Sequence, residues 1–439
     1  MKVIVRRLLG LDYADEIVLD ARQRRALALL FYNAPLALFA GAIVLNYANV
    51  YLVALGATNT QVGLLGALSQ VSTAVAPLLA AVVSERTRAY KANVVLAAFS
   101  ARLLFIPLAL LPSFALGAQA VGIAIALLTA YGFLLSWVTA PWTAFVARLV
   151  PLEIRANYFA ARNFAGGLAT ILGTLFVGQI VSALGFPLGF QVAFIVSLVV
   201  GLGANWNFLQ IPSPSEPTSF ARASGGMSIQ HSLRETAAMF SPRTRFGRFL
   251  WAACAFAFAA NIGGPFIQVY QVRVLGFSAG LIGLLLSLEQ LVNISAQRVY
   301  GAVVIKKFGD FRVMRLLRLL TAVVPLGWIF VRDPLAAVVI SVIAALVWSG
   351  HDLANFNCQL DVTPEDRRAS FIAVYTFAVS LFTAAGPAIG GVLTEVIGYQ
   401  ALFALSAGLR VLAAGLLTFW LRDMAAPRTA AAAQANLSG

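Results

Sequence analysis

Between residues 26 and 421 the chain is a succession of apolar runs separated by short polar connections. A bilayer core of about 30 Å is crossed by roughly 20 apolar residues in a helix rising about 1.5 Å per residue. Runs that meet this length lie at 26–54, 59–83, 92–115, 117–149, 157–182, 190–211, 248–273, 279–304, 313–331, 335–361, 369–393 and 400–421. Only 11% of the 439 residues are charged and 60% are hydrophobic. A soluble domain carries about 25% charged residues to clothe its surface. This chain cannot do so, and its surface is expected to face lipid. An all-helical integral membrane protein of twelve transmembrane helices is predicted.

The net charge of +14 would suit a nucleic-acid partner if it were gathered on one face, but it is not. Most of the 31 Lys and Arg lie at the termini or after even-numbered spans, as at Arg86, Arg88 and Lys91 or Lys306, Lys307, Arg312 and Arg315. The connections after odd-numbered spans hold little beyond Arg273 and Arg332. Basic connections stay in the cytoplasm, so both termini are expected there, in the cytoplasmic membrane. The positive charge reports topology, with anionic lipid headgroups as its partners and no nucleic acid. The run after Arg22, Arg24 and Arg25 is too long for a cleavable signal and is expected to become the first span. Cys254 and Cys358 both fall inside spans, which argues against disulfides, and no metal or cofactor is expected.

The second half of the chain repeats the first. "YLVALGATNTQVGLLGALSQ" from Tyr51 returns as "YQVRVLGFSAGLIGLLLSLEQ" from Tyr270, with Gly56, Gly63 and Gln70 matching Gly276, Gly283 and Gln290. "PLEIRANYFAARN" from Pro151 returns as "PEDRRASFIAVYT" from Pro364. Without a gap, Arg155, Gly173, Gly178 and Gly185 then fall on Arg368, Gly386, Gly391 and Gly398. The expected organisation is a cytoplasmic segment 1–25, a six-helix bundle 26–211, a cytoplasmic linker 212–247, a second bundle 248–423 and a tail 424–439. The linker is rich in Pro, Ser and Gly, with room for one short surface helix, and its His231 is expected in solvent.

In this arrangement the chain resembles the major facilitator superfamily of secondary transporters, over roughly residues 26–423. That family carries a Gly-x-x-x-Asp-Arg-x-Gly-Arg-like signature between spans two and three. Here the place reads "AAVVSERTRAYK", with Glu85 and Arg86 standing for the acid–base pair and the glycines missing. The corresponding second-half stretch, "GAVVIKKFGDFRVM", has lysines instead of the acid. The resemblance implies a monomer that moves a small solute by rocking two bundles about a midplane site. It also implies that the first, fourth, seventh and tenth helices line the path. No Walker-type glycine loop is present, so an ion gradient, expected to be of protons, would drive it. Glu85, Arg86, Arg155 and Arg368 are expected to cap helix ends at the cytoplasmic side or to form a gate that breaks and reforms.

Ionisable side chains inside a membrane cost at least about 2.5 kcal/mol each and usually face water or a partner. Arg102, Glu289, Arg298, His351, Asp352 and Arg410 are so placed. Helical spacing puts Glu289, Asn293, Gln297 and Tyr300 on one stripe of span eight, and Trp348, His351, Asp352, Asn355, Cys358 and Gln359 on one face of span ten. The repeat offers a control, since Glu289 matches Ser69, and His351 and Asp352 match Val138 and Thr139. Bundle architecture therefore does not demand these acids. Glu289, His351 and Asp352, with Asn293, Gln297 and Asn355, are the expected proton-coupling locus or substrate pathway; internal pairing is the competing reading. Arg298 is expected to reach toward headgroups, and Arg102 and Arg410 to pair structurally, with anion binding as the alternative. Asn33, Asn46, Asn261 and Gln268 suit either substrate contact or bonding between helices. Two other classes fit the composition: a polytopic acyl or glycosyl transferase using His351 as base, and a transporter-like sensor that binds without moving its ligand.

Overall fold

The computed structural model describes residues 20–114, 117–212, 239–365 and 367–421. His231, most of the 212–247 linker, residues 1–19 and the 424–439 tail lie outside the described residues. The membrane-length helices are α1 Ala21–Ala54, α2 Asn59–Thr87, α3 Tyr90–Phe114, α4 Ala118–Leu149, α5 Leu152–Leu184 and α6 Leu188–Leu209. They continue as α7 Arg245–Arg273, α8 Ala279–Phe308, α9 Asp310–Phe330 and α10 Pro334–Val362. The last stretch, Arg368–Trp420, turns at Gly398, where φ is 79°, so residues 368–397 are α11 and 399–420 are α12. Inside lipid a helix satisfies its own backbone groups, so apolar runs of this length have little alternative.

Local chemistry sets where the helices begin and turn. Asp20 and Gln23 form a capping box on α1, and Thr58 and Gln61 form one on α2. Asp333 accepts from the Ala336 N–H at 3.0 Å ahead of Pro334, starting α10. The repeat is visible in the backbone: Gly185 and Gly398 both take positive φ, as do Gly56 and Gly276. A side chain at any of the four would be strained. The third helix of each half is interrupted, α3 at Leu104 and α9 at Thr321 and Ala322. In α8 the helix widens into a π turn at Tyr300–Val304.

Contacts divide the chain into two compact units. The first is residues 1–221 together with Gln268–Ser287, and the second is 222–267 with 288–439. The break therefore differs from the repeat boundary: the end of α7, its turn and the start of α8 belong with the first unit. Within that unit α1 packs along α5 and α6, α2 along α4, and α3 along α4 and α6. Gly173 lets α5 press on α1, where a Cβ would come within 2.8 Å of the Phe39 carbonyl oxygen. The 268–287 segment is tied in by polar bonds. Gln268 donates to the Asn46 carbonyl at 2.6 Å, the Gly280 N–H to Ser182 Oγ at 2.7 Å, and Tyr47 Oη to the Thr174 and Ala279 carbonyls at 2.9 and 3.3 Å. Arg273 donates to Asn59 Oδ1 at 2.9 Å and also to the Ala57 carbonyl.

The second unit has its own apolar core of Phe249, Leu250, Met314, Leu317, Val347, Cys358 and Leu417. Gly386, the repeat partner of Gly173, brings α11 onto α7, with a Cβ position 2.9 Å from Asn261.

Candidate functional site

In the second unit, four helices converge on a buried arginine. Arg318 of α9 stands one turn before the break in that helix and is 1% exposed. Its Nη2 donates to Asn355 Oδ1 of α10 at 3.0 Å, and its Nη1 reaches the Ala252 carbonyl of α7 at 3.4 Å. Its Nε–H points at His351 Nε2, 3.4 Å away on α10. The guanidinium lies 4.6 Å from the centre of the Phe256 ring, an attraction that offsets part of the cost of burying the charge. Asn355 in turn donates to Tyr375 Oη of α11 at 3.2 Å.

This geometry fixes the histidine's proton. Because Arg318 has no lone pair to offer, His351 Nε2 is the acceptor, and the ring proton sits on Nδ1. Nδ1 is 3.1 Å from Asp352 Oδ1, so it donates to the carboxylate. His351 is buried between Phe256 and Trp348, whose ring centres lie 4.7 and 5.6 Å from its own, while the Asp352 side chain is 60% exposed. The pair joins a buried ring to an open carboxylate. A second proton on Nε2 would place an imidazolium against Arg318; at about 4 Å and an effective dielectric near 20, the repulsion is about 4 kcal/mol. Arg318 and His351⁺ cannot keep this contact, so protonation must shift one of them.

Below this group, Arg410 of α12 caps the α9 break. Its Nη1 and Nη2 donate to the Thr321 and Ala260 carbonyls at 2.8 and 3.0 Å, and it lies 5.7 Å from the Trp348 ring centre. Arg102 of α3 has a comparable place in the first unit, donating to Tyr131 Oη at 2.7 Å and the Ala37 carbonyl at 3.0 Å.

The α8 stripe does not join this cluster. Glu289 is half-buried beside Ser341, ten residues and about 15 Å along α10 from His351. Asn293 accepts from Gln297 at 3.0 Å, and its carbonyl accepts from Ser349 at 3.3 Å. Tyr300 packs where a Cβ on Gly350 would stand. Span eight thus meets the side of α10 opposite His351. Of the expected locus, His351, Asp352 and Asn355 lie together around Arg318, and Glu289 lies apart from them beside Ser341. Gln297 and Arg298 are exposed. Cys358 and Gln359, on the polar stripe of α10, are buried.

The intramembrane amides bond between helices, Asn33 to the Ala204 carbonyl at 2.8 Å and Asn46 to Thr174 Oγ1 at 2.6 Å. Asn261 bonds within its own helix, to Ala257. Arg155 donates to the Ala147 and Val150 carbonyls at the end of α4, at 2.7 and 3.0 Å. Arg368 sits 3.7 Å from Glu365, and Glu85 and Arg86 are exposed. Among the described residues no group of three His, Cys, Asp or Glu is placed to hold a metal ion.

Arg318 is the residue that sequence reasoning missed. It follows Arg312 and Arg315 and reads as the end of a basic connection. The repeat does not single it out, since "RLL" at 102–104 recurs both at 315–317 and at 318–320.

The chain matches the profile described as Major Facilitator Superfamily over residues 29–359 and 354–438. The chain belongs to the major facilitator superfamily. It is therefore a multi-pass membrane transporter and not an enzyme, and the transferase reading falls. A search of the curated proteins finds no significant match. Solved structures with the same fold include the nucleoside transporter NupG, at 11% identity and a TM-score of 0.71, covering 91% of this chain and 100% of that one. A bacterial homologue of the human lysosomal transporter Spinster matches at 14% identity and a TM-score of 0.70, covering 92% and 98%. A D-xylose–proton symporter matches at 14% and 0.65, covering 90% and 95%. At these identities the likeness carries the superfamily fold alone.

Proposed function

We propose that this superfamily member is a secondary active transporter that moves a small solute across the cytoplasmic membrane by alternating access, coupled to the proton gradient through His351 and Asp352. Both termini would lie in the cytoplasm, as the distribution of basic connections predicts. The observation that carries the coupling is the three-part contact of an exposed carboxylate, a buried imidazole and a buried guanidinium. The Asp352 carboxylate holds the proton on Nδ1, and the Nε2 lone pair takes a second proton from water when the Arg318 contact opens. The resulting imidazolium, stabilised by Asp352, keeps Arg318 displaced toward Asn355 and Tyr375. Because α7, α9, α10 and α11 all touch these side chains, one proton alters how four helices hold together.

Purified protein in liposomes, given an inside-alkaline gradient, tests this with a panel of radiolabelled nucleosides, pentoses and organic acids. A solute accumulated by wild type should not be accumulated by Asp352→Asn or His351→Gln, while both variants still exchange it in counterflow. Full gradient-driven accumulation in both variants would exclude the pair as the coupling site.

A further inference from the structure

The position that His351, Asn355 and Tyr375 occupy in the second unit is open in the first. Counting along the gap-free repeat, these three correspond to Val138, Trp142 and Arg162. Arg102, like Arg318, is buried within one turn of the break in the third helix of its half. Where the second unit fills the space beside its arginine with its own hydrogen-bonding side chains, the first holds a cavity of about 270 Å³. Arg102, Arg162, Asn33, Asn205, Trp142 and Thr139 line it, and the rest of its wall is apolar side chains of α1, α3, α4 and α6. None of the described lining residues is acidic.

Two of its donors lack acceptors. Asn205 is 8% exposed and its Nδ2 is buried without a partner, as is Nε of Arg102, which is 4% exposed. The Arg162 guanidinium lies over the cavity's indole, 4.7 Å from the Trp142 ring centre, with Nε donating to the Leu30 carbonyl at 3.3 Å. Two guanidiniums with no carboxylate between them, an orphaned amide donor and an apolar wall describe a site short of one anionic group. A buried cation without a counter-charge is expensive, and guanidinium matches the planar oxyanion edge.

We propose that this cavity binds the oxyanion group, carboxylate or phosphoryl, of a small organic anion whose apolar body rests on Trp142, and that this anion is the transported solute. The assignment of the anion as solute rests on the transporter reading above. Binding itself does not, because it is read without any flux.

The test is thermal unfolding of the full chain in phosphatidylcholine nanodiscs, with acetate, benzoate, phenyl phosphate or inorganic phosphate, each against the neutral probes benzamide and phenol. A ligand of the folded state raises its unfolding temperature. At least one anion should raise it by about 2 °C or more, and neither neutral probe should. The effective anion concentration should rise at least tenfold in Arg162→Gln. Thr139→Trp, which fills the cavity and leaves both arginines in place, should abolish the shift, while Asp352→Asn should retain it. No shift with any of the four anions, equal shifts with the neutral probes, or an unchanged response in both cavity variants would overturn the proposal. Loss of the shift when the discs contain phosphatidylglycerol would assign the site to a lipid headgroup and overturn the solute. Finally, liposomes loaded with the effective anion should exchange it with external label. Binding without exchange would overturn the solute assignment while leaving proton coupling to be judged on the His351 and Asp352 variants.

Discussion

The third helices of the two halves each bury an arginine within one turn of the break in the helix, and the surroundings treat it differently. In the second unit Arg318 meets His351 and Asn355, whose other atoms are bonded onward to Asp352 and Tyr375. In the first, Arg102 meets one tyrosine and one backbone carbonyl, and Nε is left over beside a cavity. One such position has become a closed, titratable network and the other an open, cationic pocket. Under the two proposals above, the duplicated bundles divide the labour of coupling and recognition by differing in the side chains around a buried arginine.

The comparison can be broken by substitutions. Arg318→Leu should be the most damaging, because it strands His351 Nε2 and Asn355 Oδ1 without a donor; about 3 kcal/mol is expected, with gradient-driven transport lost. Arg102→Leu strands one hydroxyl and one carbonyl and should cost about half as much, read as unfolding temperatures in nanodiscs. Equal losses would mean that the two arginines are the same structural device. Where the halves are alike, effects should be alike. Gly173→Val and Gly386→Val each push a side chain into the neighbouring helix, and both should cost about 1–3 kcal/mol. Glu289→Gln should cost less than about 1 kcal/mol and leave proton-driven accumulation intact, which separates α8 from the His351 cluster; loss of accumulation would rejoin them. Smallest of all, Glu85→Gln and Arg86→Gln, at exposed positions, should change stability by no more than about 0.5 kcal/mol.

The apolar runs already carried most of the architecture. Their ends fall within a few residues of the helices, since in lipid the first unpaired polar residue and the left-handed glycine leave the chain few other places to turn. The candidate site was legible only in part. Periodicity placed His351, Asp352 and Asn355 on one face, which holds. It also placed Glu289 on a polar stripe, but a helical wheel gives direction about one axis and says nothing of height against another helix. Arg318 was hidden among the basic residues before it, because sequence does not tell a headgroup contact from a charge one turn deeper. The cavity left no mark along the chain at all; it is a property of what Val138, Trp142 and Arg162 fail to fill.

The division of the chain into units has a mechanical consequence. The border between them crosses the polypeptide three times, once in the linker and twice inside α7 and α8, after Ile267 and after Ser287. Severing the linker would therefore not free one unit from the other. Any displacement of the units must flex α7 near its end and α8 near its start, or draw the 268–287 hairpin away from its bonds to Asn46, Tyr47 and Ser182. Just ahead of the first crossing, α7 carries Gly263, Gly264 and Pro265, a sequence that yields to bending.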